Sequence, residues 1–313
     1  MNGSLPVLDR IDGARIDAAL REHPGFLWLD PQLAPLARAV LAAARAFFAL
    51  PLAVKQAIAI ERSPHFRGWS EMRNARDWRE QIHFGRERPP AGREPPYLRL
   101  EGPNLWPPDP RFRATVAAYM TAVAAIGERL LAALAAHLAL DPAAFAEIGD
   151  RGYQLLKLIG YHGQHEPQAL RPGVAAHVDF SYLTLTLQDD PGLTVRHRDG
   201  SWIDVPVVSG ALWVHTGELL QLATRGAHPA TPHRVLNRAL DHQRVSLPWF
   251  VNPPLRAVVP VFTRLPVVTI PADPQHVHRV LRGDALHQPL VFGPAEWRRK
   301  GLNLWCADCV PGA

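Results

Sequence analysis

The stretch HVDFSYLTLTLQDD, residues 177–190, decides the fold. Its leucines alternate with threonines, which predicts a β-strand with one side against an apolar core. Just before this strand, His177 and Asp179 flank a single valine. Side chains two residues apart in an extended chain point to the same side, so the imidazole and the carboxylate can converge on one ion. Taken alone, a His-x-Asp pair is more typical of a hydrogen-bonded surface pair.

A second histidine adds to this pair. His233 lies in TPHRVLNR, at the start of another strand pattern. Two imidazoles and one carboxylate form the facial triad that holds Fe(II) in non-haem oxygenases and leaves three coordination positions open. Spacing alone does not select this histidine, because other histidines could compete for the role: His197, His215, His228 and His242.

Arg244 and Ser246, in RVSLPWF, also lie two residues apart and therefore share one face of a predicted strand. A guanidinium binds a carboxylate through two parallel hydrogen bonds, and a neighbouring hydroxyl adds one more donor. By itself an Arg-x-Ser pair is common on surface strands. Because it follows His-x-Asp and His233 in this order and spacing, it indicates a receptor for the far end of a dicarboxylate that chelates the metal.

The segment 177–253 resembles the core of the 2-oxoglutarate/Fe(II)-dependent dioxygenases of the isopenicillin N synthase-like group. In the N-terminal half, GFLWLD, FFALPLAVK, RGW, DWREQIHFG and GPNLWPP are similar to the group's motifs and occur in the same order. The resemblance covers nearly the whole chain. It implies a mostly β fold with flanking helices, in which a double-stranded β-helix (a cupin-like jelly roll) follows an N-terminal α/β region.

The resemblance also implies roles for five residues. His177, Asp179 and His233 would be the catalytic centre and the metal ligands, holding Fe(II). Arg244 and Ser246 would bind the C5 carboxylate of the co-substrate, 2-oxoglutarate.

Some positions depart from the pattern of the family. Tyr161, in LIGYHG, matches a tyrosine that reaches the co-substrate, but Ile159 and His162 replace the asparagine and the proline that usually surround it. His215 stands where asparagine is usual in the family. Glu218 replaces the aspartate of the Gly-Asp turn that is typical of the family. His215 is interpreted as a buried core histidine, with a substrate or co-substrate contact as the alternative.

The activity that the resemblance implies is oxidation of a C–H bond, most commonly hydroxylation, with release of succinate and CO₂. The substrate would be a small metabolite, such as an amino acid or another carboxylated compound, with O₂ as oxidant and ascorbate as a supporting reductant. Substrate contacts are expected among residues beside the metal ligands, in the RGW loop and beyond the Arg-x-Ser strand: Arg67, Phe180, Ser181, Tyr182, His215, Phe250 and Asn252.

Two alternatives remain open at this point. The chain could be an Fe(II) oxidase that does not use 2-oxoglutarate, since such oxidases can keep the Arg-x-Ser pair for the carboxylate of their own substrate. It could also be a non-catalytic metal-binding or ligand-binding module, against which the intact metal and co-substrate motifs argue.

Composition excludes several other classes. The chain has 313 residues, of which 47% are hydrophobic and 20% charged, as in a soluble globular protein. The net charge of +5 comes from dispersed arginines interleaved with acids, so a nucleic-acid partner is not expected. The longest apolar stretches are too short to span a bilayer, so a membrane partner is not expected either. The arginine-rich, lysine-poor composition suits a GC-rich bacterial genome. A cytoplasmic location is expected, and the oligomeric state is left open.

One catalytic domain is expected to span 1–313. Its parts are a mixed α/β region (1–109), a helical segment (110–150), the jelly-roll core (151–265) and a C-terminal extension (266–313). Asp109-Pro110 predicts the start of a long helix and Asp141-Pro142 its end. LPVVTI, at 265–270, is predicted to be a last strand. Cys306 and Cys309 supply only half of a typical zinc site and are interpreted as reduced thiols.

Overall fold

A computed structural model describes residues 5–91, 95–141, 145, 152–162, 172–236, 242–268 and 290–300. The strands are β1 (Val7–Leu8), β2 (Phe26–Leu29), β3 (Gly68–Arg73), β4 (Trp78–Gly85), β5 (Leu155–Tyr161), β6 (Pro172–His177), β7 (Leu183–Gln188), β8 (Leu193–Arg196), β9 (Trp202–Asp204), β10 (Ala211–Thr216), β11 (His233–Leu236), β12 (Arg244–Val251), β13 (Val258–Val259) and β14 (Leu290–Val291). The helices are α1 (Gly13–Glu22), α2 (Ala34–Phe48), α3 (Leu52–Gln56), α4 (Pro110–His137), α5 (Glu218–Ala223) and α6 (Phe292–Arg299), with short 3-10 helices at Ile60–Arg62 and Pro96–Leu100.

Two sheets form the body of the described chain. The main sheet has eight strands in the order β1-β2-β10-β7-β12-β5-β4-β3, and the smaller sheet has four in the order β6-β11-β8-β9. Ile159 and Tyr161 of the main sheet pack with Val174 and Val235 of the smaller one. Two sheets that enclose a shared core in this way form a jelly roll. The fold class predicted from the sequence, mostly β with a double-stranded β-helix core and flanking helices, is confirmed.

Strand β7 shows how this architecture uses the alternation of leucine and threonine. All six of its residues are buried, not only those on one face. Leu185 and Leu187 belong to the large core cluster that the main sheet shares with the helices. Thr186 points to the other side and lines a cavity between the sheets. The leucines therefore anchor the strand to the helical layer, whereas the threonines face the interior of the jelly roll.

The N-terminal region completes the main sheet at both ends. β2 pairs with β10 at one end, and β4 pairs with β5 at the other. The long hairpin of β3 and β4 was not predicted as strands, because its charged residues hide the apolar alternation. The consequence for the site is that residues far apart in sequence line the same interior surface.

Helix α4 is the main support of the sheet. It begins where predicted, since the Asp109 carboxylate accepts a hydrogen bond of 2.8 Å from the backbone N–H of Arg111 and Pro110 occupies the first turn. Gly127 lets the helix approach the sheet closely, because a Cβ there would lie 2.8 Å from Cγ2 of Val251. By length and composition α4 could cross a membrane, but half of its most apolar window is buried within the fold.

The strand expected in LPVVTI is wrong for residues 265–268, which form a turn and an irregular segment. Val267 and Val268 are 49% and 41% exposed, and the backbone N–H of Val268 donates one hydrogen bond of 2.9 Å to the carbonyl of Arg225. A single bond of this kind does not build a ladder. Residues 269 and 270 lie outside the described residues, as do Cys306 and Cys309.

Candidate active site

Three predicted metal ligands meet at the open end of the smaller sheet. His177 is the last residue of β6 and His233 the first of β11, and the two are direct partners in the antiparallel ladder. Their ring centroids lie 4.2 Å apart. Asp179 lies in the segment between β6 and β7, so the strand ends before it and the turn brings its carboxylate back to the histidines. The ligand atoms of all three lie within 4.8 Å of one another.

Hydrogen bonds to backbone carbonyls orient both imidazoles. Nδ1 of His177 lies 2.9 Å from the carbonyl oxygen of Ala175, and Nδ1 of His233 lies 3.0 Å from that of Thr231. Because a carbonyl only accepts, Nδ1 carries the proton in each ring and Nε2 keeps a free lone pair. The Nε2 atoms lie 3.5 Å and 3.7 Å from the Asp179 carboxylate. Both rings therefore present the atom that binds a metal.

The electrostatics suit a cation. Burial, together with the neighbouring His177, lowers the pKa of His233 to about 3, so its imidazole is neutral at physiological pH. Burial alone would raise the pKa of Asp179, but the nearby histidines, His233 foremost, hold it well below its usual range. Metal ligands must be neutral imidazoles and ionised carboxylates. Two such imidazoles and one carboxylate, open on one side, fit Fe(II).

Two further side chains hold the carboxylate of Asp179. The Thr184 hydroxyl donates a hydrogen bond of 2.7 Å to Oδ2, and Nε2 of His215 lies 3.1 Å from the same oxygen. Thr184 is one of the inward-facing threonines of β7, and its direct ladder partner on β10 is His215. His215 is 1% exposed and thus a buried histidine that contacts a metal ligand.

The smaller of two cavities at the triad contains the predicted co-substrate residues. It has a volume of about 70 Å³, and His177, Asp179, His233, Tyr161, Arg244 and Ser246 are among its lining residues. Arg244 is 2% exposed and stacks over the ring of Tyr161, with its guanidinium carbon 4.8 Å from the ring centroid. Arg244 and Tyr161 are direct partners across the β5–β12 ladder.

Hydrogen bonds hold Arg244 in place but leave one nitrogen unused. Nε donates to the carbonyl of Asp190 at 2.9 Å, and Nη2 donates to Oε1 of Gln188 at 2.8 Å. Nη1 is buried and has no hydrogen-bond partner among the described residues. A buried cationic donor without a partner is costly, so this nitrogen fits an anionic ligand such as a carboxylate of 2-oxoglutarate.

The larger cavity has a volume of about 270 Å³ and also reaches the triad. The two cavities share His177, Asp179, Arg79, Lys157, Val174 and Phe250. Its lining residues come from β3, β4 and the turn between them, and from β5, β6 and β12. Lys300, which follows α6, also lines the cavity. A volume at the low end of small-molecule pockets suits a small ligand.

Of the residues predicted to contact substrate, Phe180, Phe250 and Asn252 line this cavity. The ring of Phe180 stacks on that of Phe292 at 5.6 Å, which couples α6 to the segment after the metal ligands. Phe180 and Phe250 give the cavity part of its apolar wall.

The other predicted contacts lie elsewhere. Arg67 is 1% exposed and donates to the backbone carbonyls of His65 and Leu100 at 3.1 Å and 3.0 Å, so it holds loops together. The Ser181 hydroxyl lies 3.0 Å from that of Thr184 and is fully buried. Tyr182 packs edge-on against the ring of Phe145 at 5.1 Å. None of these side chains is among the described residues that line either cavity.

Sequence reasoning missed the side chains that the β3–β4 hairpin contributes. Arg79, Gln81 and His83 alternate along β4 and all line the larger cavity. Lys157 on β5 is the ladder partner of His83. The alternating polar residues in DWREQIHFG were a usable signal, since their spacing of two predicts a shared face.

The remaining candidate histidines have other partners. Nε2 of His228 lies 2.9 Å from Oδ1 of Asp17 on α1, and Nε2 of His242 lies 2.9 Å from Oδ2 of Asp190. His197 faces Asp199, 3.3 Å away. Tertiary structure thus separates the metal-facing histidine from the alternatives that spacing left open.

The jelly roll and its facial triad define a non-haem iron oxygenase. The profile of the 2OG-Fe(II) oxygenase superfamily matches residues 153–253, and that of the N-terminal region of non-haem dioxygenases in morphine synthesis matches residues 13–109. The chain belongs to the 2OG-Fe(II) oxygenase superfamily. It is a 2-oxoglutarate-dependent dioxygenase that uses Fe(II), which confirms the family resemblance and the cofactors expected from it.

Curated relatives agree with this assignment, and a solved structure shares the fold. The 2-oxoglutarate-dependent dioxygenase frbJ of Dothideomycetidae sp. (strain 11243) is 32% identical over 88% of this chain and 78% of its own length. The 2-oxoglutarate-Fe(II) type oxidoreductase hxnY of Emericella nidulans is 34% identical over 74% of this chain and 71% of its own. The structure of a putative 2OG-Fe(II) oxygenase family protein from Caulobacter crescentus superimposes with a TM-score of 0.74 at 24% identity, covering 92% of this chain and 93% of that one.

Proposed function

We propose that this enzyme hydroxylates a C–H bond of a small metabolite bound in the larger cavity, while 2-oxoglutarate occupies the smaller one. The observation that carries the proposal is that two differently lined cavities meet at His177 and Asp179. An oxygenase of this class needs two organic ligands beside one metal, and the arrangement supplies a separate place for each.

In this proposal, His177, Asp179 and His233 hold the metal, which when bound supplies O₂ activation coupled to conversion of 2-oxoglutarate to succinate and CO₂. The unpartnered Nη1 of Arg244 binds one oxygen of the far carboxylate of 2-oxoglutarate. The Ser246 hydroxyl, two residues further along the same face of β12, adds a donor to that carboxylate. Tyr161 supports the guanidinium by stacking and borders the same ligand.

The protein's own contribution to chemistry is to bind, orient and keep water out. The Asp179 carboxylate is held by a hydroxyl and an imidazole, so its direction toward the metal is set before any ligand arrives. Phe180 and Phe250 place aromatic walls beside the triad. Exclusion of water by these side chains would limit side reactions beside the triad.

The test is release of succinate from 2-oxoglutarate by the Fe(II)-loaded protein, screened against small metabolites. Asp179→Ala is expected to abolish succinate release, because it removes a metal ligand. Asp199→Ala is the matched control, since it removes a carboxylate of an exposed turn. Substrate-dependent O₂ uptake without succinate would overturn the proposal in favour of an oxidase that does not use 2-oxoglutarate.

We further propose that the whole chain acts as one catalytic domain, in the cytoplasm of a bacterium, on small molecules and without a nucleic-acid or membrane partner. The contribution of N-terminal strands to both ends of the main sheet supports the single domain. The dispersed charge supports the absence of a nucleic-acid partner. The named relatives of this chain are fungal, so the bacterial source rests on composition alone. Cell fractionation and a gel-shift assay with single-stranded DNA test these expectations.

A further inference from the structure

Basic side chains outnumber acidic ones on the wall of the larger cavity. Four of them line it and are called here the basic wall: Arg76, Arg79, Lys157 and Lys300. Apart from the metal ligand, the acidic residues lining the cavity are Asp77 and Glu218 among the described residues. With Asp179 counted, four cations face three carboxylates, and Lys300 is paired with Glu296 at 3.1 Å. The positive charge close to the substrate position therefore comes from Arg76, Arg79 and Lys157.

Arg79 borders both cavities, as Lys157 does. It is 9% exposed, and its Nη2 lies 3.2 Å from Oδ1 of Asp77. Its Nε is buried and has no hydrogen-bond partner within the described part of the chain. Asp77 thus pairs with Nη2 of the guanidinium, whereas the Nε–H donor remains for a ligand.

His83 adds a second, independent sign of a ligand. It is 3% exposed and lines the cavity beside Lys157, its partner across the ladder. Neither ring nitrogen has a hydrogen-bond partner among the residues that the structure describes. Burial and the surrounding cations, Lys157 first, hold its pKa well below the usual range. A neutral imidazole offers one donor and one acceptor, and both are unused.

Two amides repeat the pattern. Oε1 of Gln81 and Oδ1 of Asn252 are buried, line the same cavity and lack partners in the described ranges. Buried polar atoms without partners destabilise a fold and are rare in native proteins. Their concentration around one cavity indicates that a bound molecule satisfies them.

From this wall we infer that the substrate is a small organic acid without an ammonium group, whose anionic group binds Arg79 and the rest of the basic wall and whose polar atoms include a hydrogen-bond partner of His83. This inference rests on the proposed function, since it names the substrate class of the same site. A free amino acid fits less well. Its ammonium group would face the basic wall, and the lining acids are engaged: Asp77 pairs with Arg79, and Glu218 has a partner of its own.

A matched set of probes tests the charge requirement. The set contains 3-(4-hydroxyphenyl)propanoate, its primary amide, and tyrosine, together with acid and amide pairs of other aromatic and aliphatic skeletons. The protein is loaded with Fe(II) and 2-oxoglutarate without O₂, and the shift in Tm on adding each probe at millimolar concentration is recorded. Succinate release in air is measured for the same set.

The acids are expected to raise Tm and to bind about tenfold or more tightly than their amides, because a charge-assisted hydrogen bond is lost with the carboxylate. The amino acid is expected to bind less well than the matching acid. Equal shifts for acids and amides, or no shift with any acid, would overturn the inference. The proposed function is tested separately by succinate release. It would be overturned if substrates were oxidised without succinate, whether they were acids or amides.

Variants of Arg79 and His83 assign the effect to residues. Arg79→Gln is expected to reduce the ratio of acid to amide affinity about tenfold, and Arg79→Lys to retain much of it. Because 2-oxoglutarate is bound in both measurements, any effect of the substitution on 2-oxoglutarate cancels in the ratio of acid to amide affinity. His83→Phe is expected to weaken acid binding several-fold, whereas His83→Asn keeps a donor and an acceptor. Arg38→Gln, on the exposed side of α2, is the control. An unchanged ratio in Arg79→Gln would contradict the assignment.

Discussion

Nε2 of His215 lies 3.1 Å from Oδ2 of Asp179, so a histidine that binds no metal itself holds the carboxylate of a predicted metal ligand. Both side chains are almost fully buried, at 1% and 7% exposure. The contact joins β10 to the segment that follows β6. The position of the carboxylate therefore depends on two sheets at once.

The first prediction concerns this contact. His215→Phe removes the donor to Asp179 and is expected to weaken metal affinity about 10- to 100-fold, as loss of such supporting hydrogen bonds typically does. His215→Asn keeps a donor and should lose less. Titration of the metal-free protein with Fe(II) without O₂, or with Co(II) followed by its absorption spectrum, measures the affinity. If both variants bind metal as the wild type does, His215 is a packing residue only.

The second prediction concerns the co-substrate. Arg244→Met removes the guanidinium with the unpartnered Nη1 from the smaller cavity. It is expected to raise the KM for 2-oxoglutarate about 10- to 100-fold, the equivalent of one or two charge-assisted hydrogen bonds. Arg244→Lys keeps the charge but loses the planar fork, so an intermediate value is expected. Initial rates of succinate formation at varied 2-oxoglutarate give the KM. The exposed variant Arg38→Gln should leave it unchanged, and an unchanged KM in Arg244→Met would refute the role.

The third prediction separates packing from backbone strain. Gly25 has a φ of +149°, and a Cβ there would lie 2.2 Å from the carbonyl oxygen of Val214. Gly200 has a φ of +89°, but the nearest atom to its Cβ position is 3.6 Å away. Both glycines adopt a backbone conformation that other residues rarely take. Gly25→Ala should therefore destabilise the protein by about 2 kcal/mol or more beyond Gly200→Ala, because overpacking adds to the same backbone cost.

Urea unfolding of the two glycine variants provides the measurement. A lower midpoint with an unchanged slope is expected for Gly25→Ala, since the native state alone is affected. Equal losses in the two variants would show that the close approach of β2 and β10 is not the reason for glycine at position 25.

The fourth prediction concerns pH. Burial and nearby cations lower the pKa of His83 in the folded protein, whereas in the unfolded chain it is about 6.5. Below that value the unfolded state binds a proton that the folded state does not, so stability falls as pH falls. The contribution of one such group is up to about 1.4 kcal/mol per pH unit. His83→Phe removes it and should make the decline below about pH 6.5 shallower by that amount.

Unfolding free energies of wild type and His83→Phe, measured in urea between neutral and mildly acidic pH, test this. The Arg38→Gln control should follow the wild type. Parallel pH curves for wild type and His83→Phe would mean that His83 is protonated in the folded state as readily as in the unfolded one.

Much of the site could be predicted from the sequence because it is encoded locally. The two-residue spacing of His177 and Asp179, and that of Arg244 and Ser246, follows from the geometry of extended chain. The long helix was predicted from its cap and periodicity, and the structure begins it at Pro110. These features depend on neighbours within a few residues, which a single sequence displays.

The residues that line the larger cavity depended on the arrangement of distant segments. Arg67 was predicted to contact substrate from its place in a motif, but it lines neither cavity, and its Nη1 and Nη2 donate to the carbonyls of His65 and Leu100. Arg79 and His83 reach the cavity because β4 pairs with β5, more than seventy residues later in the chain. A local sequence pattern does not predict which two strands will pair in the sheet.

The sequence by itself determined the family, the strand carrying the leucine and threonine alternation, and the candidate residues for binding metal and 2-oxoglutarate. Only the tertiary structure decided which face of that strand does what: Leu185 packs toward the helices, and Thr184 holds the carboxylate of Asp179. The physical reason is that alternation defines two faces of a strand, whereas their surroundings are set by the sheets and helices that pack on each side.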